Sequence, residues 1–324
     1  MAVDQRSKFY QEVTQILEQS QFNLSTPLLG CGGCVDLVAK RHRLLILIKL
    51  LLNIDSFREE QAYELNKLAS MIQGFPLLVG NQIRSNVEIE DGVIYKRYDI
   101  PTVSVETFRD LVINQLPPLV FSHRGGYKVK FDGNLLKEKR LENKLSLSDL
   151  EHITEIHISK STIYEYEKGI VYADPGIAIK LEEFFDERFI FAIDIFEEFE
   201  RIGSISTPDS FKNAPKSDLE RDVKKHFDRI GFTDQLWTKK MPIRVLAKDP
   251  EKEEIKTQTT VTGISDEASV EDIGIKAEAA SDISRLADVK PLIVLGCDTD
   301  NLSIEGVQII TIAELLKRAK KKDS

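Results

Sequence analysis

The sequence predicts two α/β domains flanking a central all-α domain, and three observations predict it. Residues 1–121 alternate helical and strand-like apolar patterns. Residues 132–185 hold short helical patterns whose ends are marked by capping residues. Beyond a stretch rich in Gly, Ser and Pro, the alternation of the first segment returns. The expected divisions are 1–121, 122–196, a linker at 197–216, and 217–324.

In the first segment, Phe9, Val13, Ile16 and Leu17 recur at helical spacing. Val35–Ala39 and Leu44–Leu52 are short apolar runs joined by the basic turn Lys40-Arg41-His42-Arg43, the pattern of a pair of core strands. A helix is expected over Glu59–Ile72 and a buried strand over Pro76–Gly80. A hairpin follows near Asp91-Gly92, then a strand or helix start around Val103–Leu111. Helix and strand alternating in this way give α/β.

Asp36, followed by Lys49 on the next apolar strand, resembles the core of the PD-(D/E)xK nuclease fold. The resemblance implies a metal shared between that aspartate and an acidic residue two places before the lysine. Leu47 stands there. Without the second carboxylate a hard divalent cation loses a principal ligand. The expectation is a degenerate nuclease-like scaffold and no enzyme, with Lys49 running its charge out to the strand end. Cys31-Gly32-Gly33-Cys34 has the CxxC spacing, but zinc takes four ligands and no second CxxC or HxxxH completes the set. His42 and His157 are stray candidates, so the cysteines read as small buried residues, with no metal and no cofactor.

The central segment is the most sharply marked. Ser159 is a candidate N-cap and Gly169 a candidate left-handed C′ residue. Ile163 and Tyr166 form a narrow apolar stripe, which leaves Lys160, Ser161, Thr162, Tyr164 and Glu165 facing outward. Short polar side chains let a helix backbone approach base edges in the major groove. Upstream, Leu135, Leu136 and Leu141 give an apolar face to a first helix that carries Lys137, Lys139, Arg140 and Lys144. A second helix opens at Ser146 or Ser148, both followed by an acidic residue at capping-box spacing. Asp174-Pro175 opens a fourth helix with Ile177, Leu181 and Phe184 on one face. Short helices with short joins make a helix-turn-helix domain.

The stretch Leu145–Gly169, closed by Tyr166-Glu167-Lys168-Gly169, resembles the helix-turn-helix of Cro and phage-repressor type regulators. With the flanking segments 34–55, 124–140 and 178–196, most of the chain resembles the archaeal helix-turn-helix transcriptional regulators, which carry this module between two α/β domains. The resemblance implies that Arg140 of helix one pairs with Glu167 at the end of helix three, a structural contact that is bidentate when partly desolvated. The sequence departs from the pattern between Leu150 and Ser159, which is about two residues longer than usual, with His157 in place of a glycine. Either the turn is wider or helix two is longer.

In the last segment, Leu219–Phe232 reads as a helix ending at Gly231-Phe232, and Ala279–Val289 as a second helix. Pro291–Gly296 echoes Pro76–Gly80, and Gly306-Val307 echoes Gly92-Val93. A strand Gln308–Ile310 then runs into a helix over Ile312–Lys320. Matches in the same order point to a second copy of the first domain's plan, without an acidic-x-Lys strand. The basic tail Lys317–Lys322 suits a helix C-terminus, with phosphate contact as the alternative.

At 324 residues, 42% hydrophobic and 30% charged, the composition is that of an ordinary globular chain and excludes disordered or collagen-like classes. Three cysteines make no disulfide framework. No apolar run approaches a membrane span, and the polar amino terminus lacks a signal-peptide core, so the expected location is the cytoplasm. The net charge of −9 needs a local reading for a nucleic-acid binder. From His123 to Gly169 nine Lys/Arg stand against eight Asp/Glu, so the module is near neutral and needs dimerisation or another basic surface.

The expected function is sequence-specific binding of double-stranded DNA by a homodimeric transcriptional regulator. Ser159, Lys160, Ser161, Thr162, Tyr164 and Glu165 would face base edges, and Ser146 and Ser148 would set register through phosphates. Two alternatives stay open: a nuclease using Asp36 and Lys49, targeted by the helix-turn-helix, and an adaptor whose α/β domains hold protein partners.

Overall fold

The computed structural model describes residues 2–28, 33–84, 87–152, 158–200, 214–229, 231–232, 234–248, 259–265, 270–296 and 307–315. Cys31, Gly32, His157, most of the expected linker, Gly306 and the basic tail lie outside the described residues. Contacts group the chain into two units: Met1–Val79 with Ile202–Ser324, and Gly80–Arg201. The divisions at 121 and 217 follow motifs, whereas contacts divide the chain after Val79 and after Arg201.

In the first unit, α1 (Ala2–Gln19) buries Phe9, Val13, Ile16 and Leu17. Strands β1 (Asn23–Leu24), β2 (Leu37–Arg41), β3 (Leu44–Asn53) and β4 (Phe75–Arg84) lie in that order in a sheet, with α2 (Glu59–Ile72) joining the last two. The β2–β3 hairpin turns at His42, whose φ is 53°. Strand β3 lies between two neighbours and is buried from Leu45 to Leu51. Both faces are covered, so apart from Lys49 it reads as an apolar run rather than an alternation.

In the second unit, β5 (Val87–Glu88) pairs with the far end of β4, and β6 (Val93–Arg97) forms a hairpin with β7 (Ile100–Val103). Its turn is Tyr98-Asp99, with φ of 50° and 61°, the two left-handed residues a type I′ turn requires. Asp91-Gly92, expected as the hairpin, instead makes the turn that leads into β6. α3 (Val105–Arg109) starts on a Ser104 cap. Then come β8 (Val120–His123) and β9 (Gly126–Phe131), an antiparallel hairpin, with β8 parallel to β6.

Helices α4 (Gly133–Glu142), α5 (Leu147–His152), α6 (Lys160–Glu167) and α7 (Pro175–Phe185) follow. β10 (Ile190–Phe191) returns to pair with β9, ahead of α8 (Ile195–Glu200). The expected helices therefore stand beside strands of the same segment. One core joins them: Leu136, Leu150, Ile158, Ile163, Tyr166 and Leu181 pack with Val129 of β9 and Phe189. Two expected core residues do not join it, since Leu141 is 56% and Phe184 45% exposed. The buried arc of α4 runs through Gly133, Leu136 and Arg140, and a residue next to Arg140 points about 100° away from it. On α7, Ala178 takes the inward place beside Leu181.

The first unit is completed by α9 (Asp218–Arg229), β11 (Asp234–Trp237), β12 (Val245–Lys248), β13 (Thr259–Ser265), α10 (Val270–Ala287), β14 (Lys290–Leu295) and β15 (Gln308–Thr311). α10 begins well before the expected Ala279, because Ile273, Ala277 and Ala280 continue its buried face across Gly274. The order α1-β1-β2-β3-α2-β4 recurs as α9-β11-β12-β13-α10-β14, with the same neighbours in each sheet and the first two pairings antiparallel in both. The two sets of elements also contact one another. From α2, Lys67 meets Asp234 of β11 at 2.5 Å and Glu64 accepts the Lys239 N–H at 3.2 Å. From α10, Asp282 accepts the Thr26 N–H at 2.6 Å and Arg285 reaches the Leu24 carbonyl of β1.

Candidate nucleic-acid interface

Helix α6 is fixed at both ends. Ser159 Oγ accepts the Thr162 N–H at 3.1 Å, and Glu151 of α5 accepts the Lys160 N–H at 3.1 Å. Two of the free amides of the first turn are thereby satisfied. At the far end Gly169 adopts φ +63°, and the amides of Gly169 and Ile170 return to the carbonyls of Tyr166 and Glu165, a Schellman closure. Ile163 and Tyr166 are buried, and Tyr166 Oη accepts the Asp174 N–H at 3.1 Å, which ties the helix to the cap of α7. Burial raises the Tyr166 phenol above its ordinary pKa.

The outward face holds Lys160, Ser161 and Tyr164, all exposed, with Thr162 and Glu165 half-buried beside them. The Thr162 hydroxyl lies 2.9 Å from Ser159 Oγ, so its methyl is the part left for contact. The Lys168 ammonium stands 5.7 Å from the centre of the Tyr164 ring, a cation–π distance. On α5, Ser146 Oγ accepts the Asp149 N–H at 3.1 Å while the Asp149 carboxylate accepts the Ser146 N–H at 2.7 Å. That reciprocal box makes Ser146 the cap and leaves Ser148 exposed in the first turn. Hydrogen bonding by the Ser146 hydroxyl, and then by its backbone N–H, holds the Asp149 carboxyl below the usual carboxylate pKa.

Behind this face, Arg140 and Glu167 meet in two parallel contacts, Nε to Oε1 at 2.5 Å and an Nη to Oε2 at 2.9 Å. A third guanidinium N–H donates to the Leu145 carbonyl at 2.8 Å. Gly133 supplies a clamp that sequence reasoning missed: a Cβ there would lie 1.8 Å from the Tyr166 carbonyl oxygen, so α4 starts directly on the backbone of α6. The cap from Glu151 was missed as well, because its partner Lys160 lies nine residues on in the chain.

In the other unit, the register Leu37↔Ile48 and Val38↔Leu47 puts Asp36, Val38, Leu47 and Lys49 on one face of the sheet. Asp36 and Lys49 are brought together, with Lys49 Nζ 3.1 Å from Asp36 Oδ1 and 2.7 Å from the Gly33 carbonyl. Lys49 therefore turns its ammonium inward, not out to the strand end. Asp36 also takes Arg6 of α1 at 3.1 Å and the Leu50 N–H at 2.9 Å, so both its oxygens are engaged. Leu47 is fully buried and lies against the backbone at Gly74. Nearby, burial and Asp36 push the Tyr10 phenol up to about 12. Cys34 is buried with its thiol pKa raised well above normal by that burial, and its sulfur lies 3.5 Å from that of Met241. Among the described residues no three His, Cys, Asp or Glu side chains converge, and no helix is long and apolar enough to cross a membrane.

Known families cover both regions. A PD-(D/E)XK superfamily domain matches residues 6–118, and a helix-turn-helix family matches residues 136–190. Over nearly the whole length the chain is similar to archaeal proteins bearing the name "Putative HTH-type transcriptional regulatory protein". The one from Methanobrevibacter smithii is 32% identical over 96% of this chain and 93% of its own. That from Methanococcus maripaludis is 34% identical over 96% and 94%, and that from Pyrococcus abyssi 34% over 90% and 87%. The chain belongs to this family of archaeal HTH-type transcriptional regulatory proteins. No solved structure matches it. The helix-turn-helix match takes in most of α4 with α5 to α7, and the nuclease-like match most of α1 with α2, α3 and β1 to β7.

Proposed function

We propose that the chain is a sequence-specific regulator of transcription that reads the major groove of double-stranded DNA with the helix Ser159–Lys168. The observation that carries this reading is the division of α6 into a buried back, Ile163 and Tyr166, and an exposed front, Lys160, Ser161 and Tyr164, on a helix capped at both ends. A rigid helix with a polar front can bring Lys160 to guanine and the Thr162 methyl to thymine. A homodimer acting in the cytoplasm would set two such helices about 34 Å apart, one turn of DNA. After selection of a preferred site from random duplexes, Lys160→Ala with Thr162→Ala should cost about 1–3 kcal/mol per lost base contact. Equal binding by variant and wild type would count against it.

We further infer that the nuclease-like domain does not cut. With Leu47 where the second carboxylate is expected, a hard divalent cation loses a principal ligand, and Asp36 already carries Lys49 and Arg6. Magnesium-dependent cleavage by the wild type that disappears in Asp36→Ala would overturn this.

A further inference from the structure

The helix-turn-helix is poor in the charge that holds a duplex. Residues 132–169 contain six lysines and arginines against eight carboxylates, and one of the six, Arg140, is committed to Glu167. Protein–DNA affinity rests largely on neutralised phosphates, so the positive surface has to come from elsewhere. It stands immediately upstream. Residues 123–131 contain Arg124, Lys128 and Lys130 and no carboxylate at all.

These residues form the β8–β9 hairpin. Its register, Phe121↔Lys128 and His123↔Gly126, sets Phe121, His123, Lys128 and Lys130 on one face, opposite Val129. Phe191 of β10 pairs with Lys130 and extends that face, and the ring of Tyr172 meets Phe121 edge-on at 4.5 Å. Lys128 and Lys130 are spaced about 7 Å along the strand. Glu90 accepts the Tyr127 hydroxyl on the other face. The tip, Arg124-Gly125-Gly126, stands clear: both glycines have left-handed φ and open space where a Cβ would be, and Arg124 is exposed.

Backbone bonds and a shared core also tie the hairpin to α6. Val129 and Ala173 exchange both backbone hydrogen bonds, at 3.0 and 3.2 Å, just after α6 ends. Val129 packs in the same core as Ile163 and Tyr166, and β9 runs straight into Gly133, which rests on the α6 backbone. These contacts hold the basic strand in a fixed place beside the helix proposed to read the bases, which favours binding by both at once.

We propose that the β8–β9 hairpin is a wing that grips the phosphate backbone beside the bases read by α6, supplying the sequence-independent part of the affinity. The proposal rests on the DNA-reading function above. Its test is the triple variant Arg124→Ala, Lys128→Ala, Lys130→Ala, with Arg124→Ala alone as a second variant confined to the tip. Binding of full-length protein to the selected site and to a fixed mixed-sequence duplex is followed between about 50 and 200 mM salt. The triple variant should lose affinity for both duplexes by a similar factor. Its salt slope should be shallower by up to about 0.9 per phosphate contact removed, with the preference between the duplexes kept. Arg124→Ala should do the same by up to one contact. Wild-type binding with an unchanged slope in both folded variants would overturn the wing alone. Failure of the wild type to bind either duplex would overturn the DNA-reading function and the wing with it.

Discussion

Arg140 and Glu167 stand 27 residues apart in the chain and meet as a bidentate ion pair that bolts the first helix of the helix-turn-helix to the end of the third. Both side chains are more than nine-tenths buried. Breaking such a pair from one side leaves an uncompensated charge, whereas replacing both partners removes the cost of desolvation along with the attraction. Arg140→Met alone should therefore lower stability by about 3 kcal/mol in urea unfolding. Arg140→Met with Glu167→Leu should recover much of that loss. A double variant as weak as the sum of the singles would mean that the two residues act independently.

The front of α6 separates residues that hold the helix from the exposed residues proposed to read DNA. Ser159 spends its hydroxyl on the Thr162 amide, so Ser159→Ala should cost about 1 kcal/mol of stability and leave the order of preferred DNA sequences unchanged. Lys160→Ala should do the reverse, altering preference with little change in the thermal midpoint. Thermal melting beside binding to a panel of single-base site variants distinguishes them. A shifted preference in Ser159→Ala would place that hydroxyl at the bases.

The capping box of α5 carries a pH dependence whose sign follows from its bonds. The two hydrogen bonds with Ser146 favour ionised Asp149, so its folded pKa lies below the unfolded value. Stability from this group is then complete above about pH 4 and is lost as pH falls through the folded pKa. The melting temperature of the wild type should exceed that of Asp149→Ala at pH 6, and the gap should close on acidification below that range. A gap that widens in acid would contradict the assignment.

What could be read from the chain was what local chemistry spells out. The stripe Ile163 and Tyr166, the Ser159 cap, Gly169, and Asp174-Pro175 each act within a turn or two of themselves, and the structure forms them there. The run Leu44–Leu52 gave β3 because a strand covered on both faces is apolar nearly throughout, here with Lys49 as the one exception. Features that depend on distant partners left no local trace. Nothing near Gly133 announces that the carbonyl of Tyr166 will sit on it. Leu141 looked apolar and core-facing, but the inward place on α4 belongs to a charged residue whose partner is in another helix. β11 and β12 are four residues each, with too few positions to show a period. The Tyr98-Asp99 hairpin places a tyrosine in left-handed backbone, which it seldom takes, while the stronger signal Asp91-Gly92 serves as a plain turn.

The buried pair of the nuclease-like domain should behave as structure. Lys49 has Asp36 and the Gly33 carbonyl as partners, and Asp36 has Lys49, Arg6 and the Leu50 amide. Removing the lysine still leaves the carboxylate a cation and an amide, but removing the carboxylate leaves a buried ammonium with one carbonyl. The asymmetry predicts that Asp36→Ala destabilises more than Lys49→Met, by roughly 3–5 kcal/mol against a smaller loss. It also predicts that the pair is coupled by about 0.5–3 kcal/mol in a double-mutant cycle. DNA binding measured below the unfolding transition should change little in Lys49→Met, since the pair lies outside the helix-turn-helix. Were Lys49→Met fully stable yet defective in binding, the lysine would be a nucleic-acid contact and not a strut.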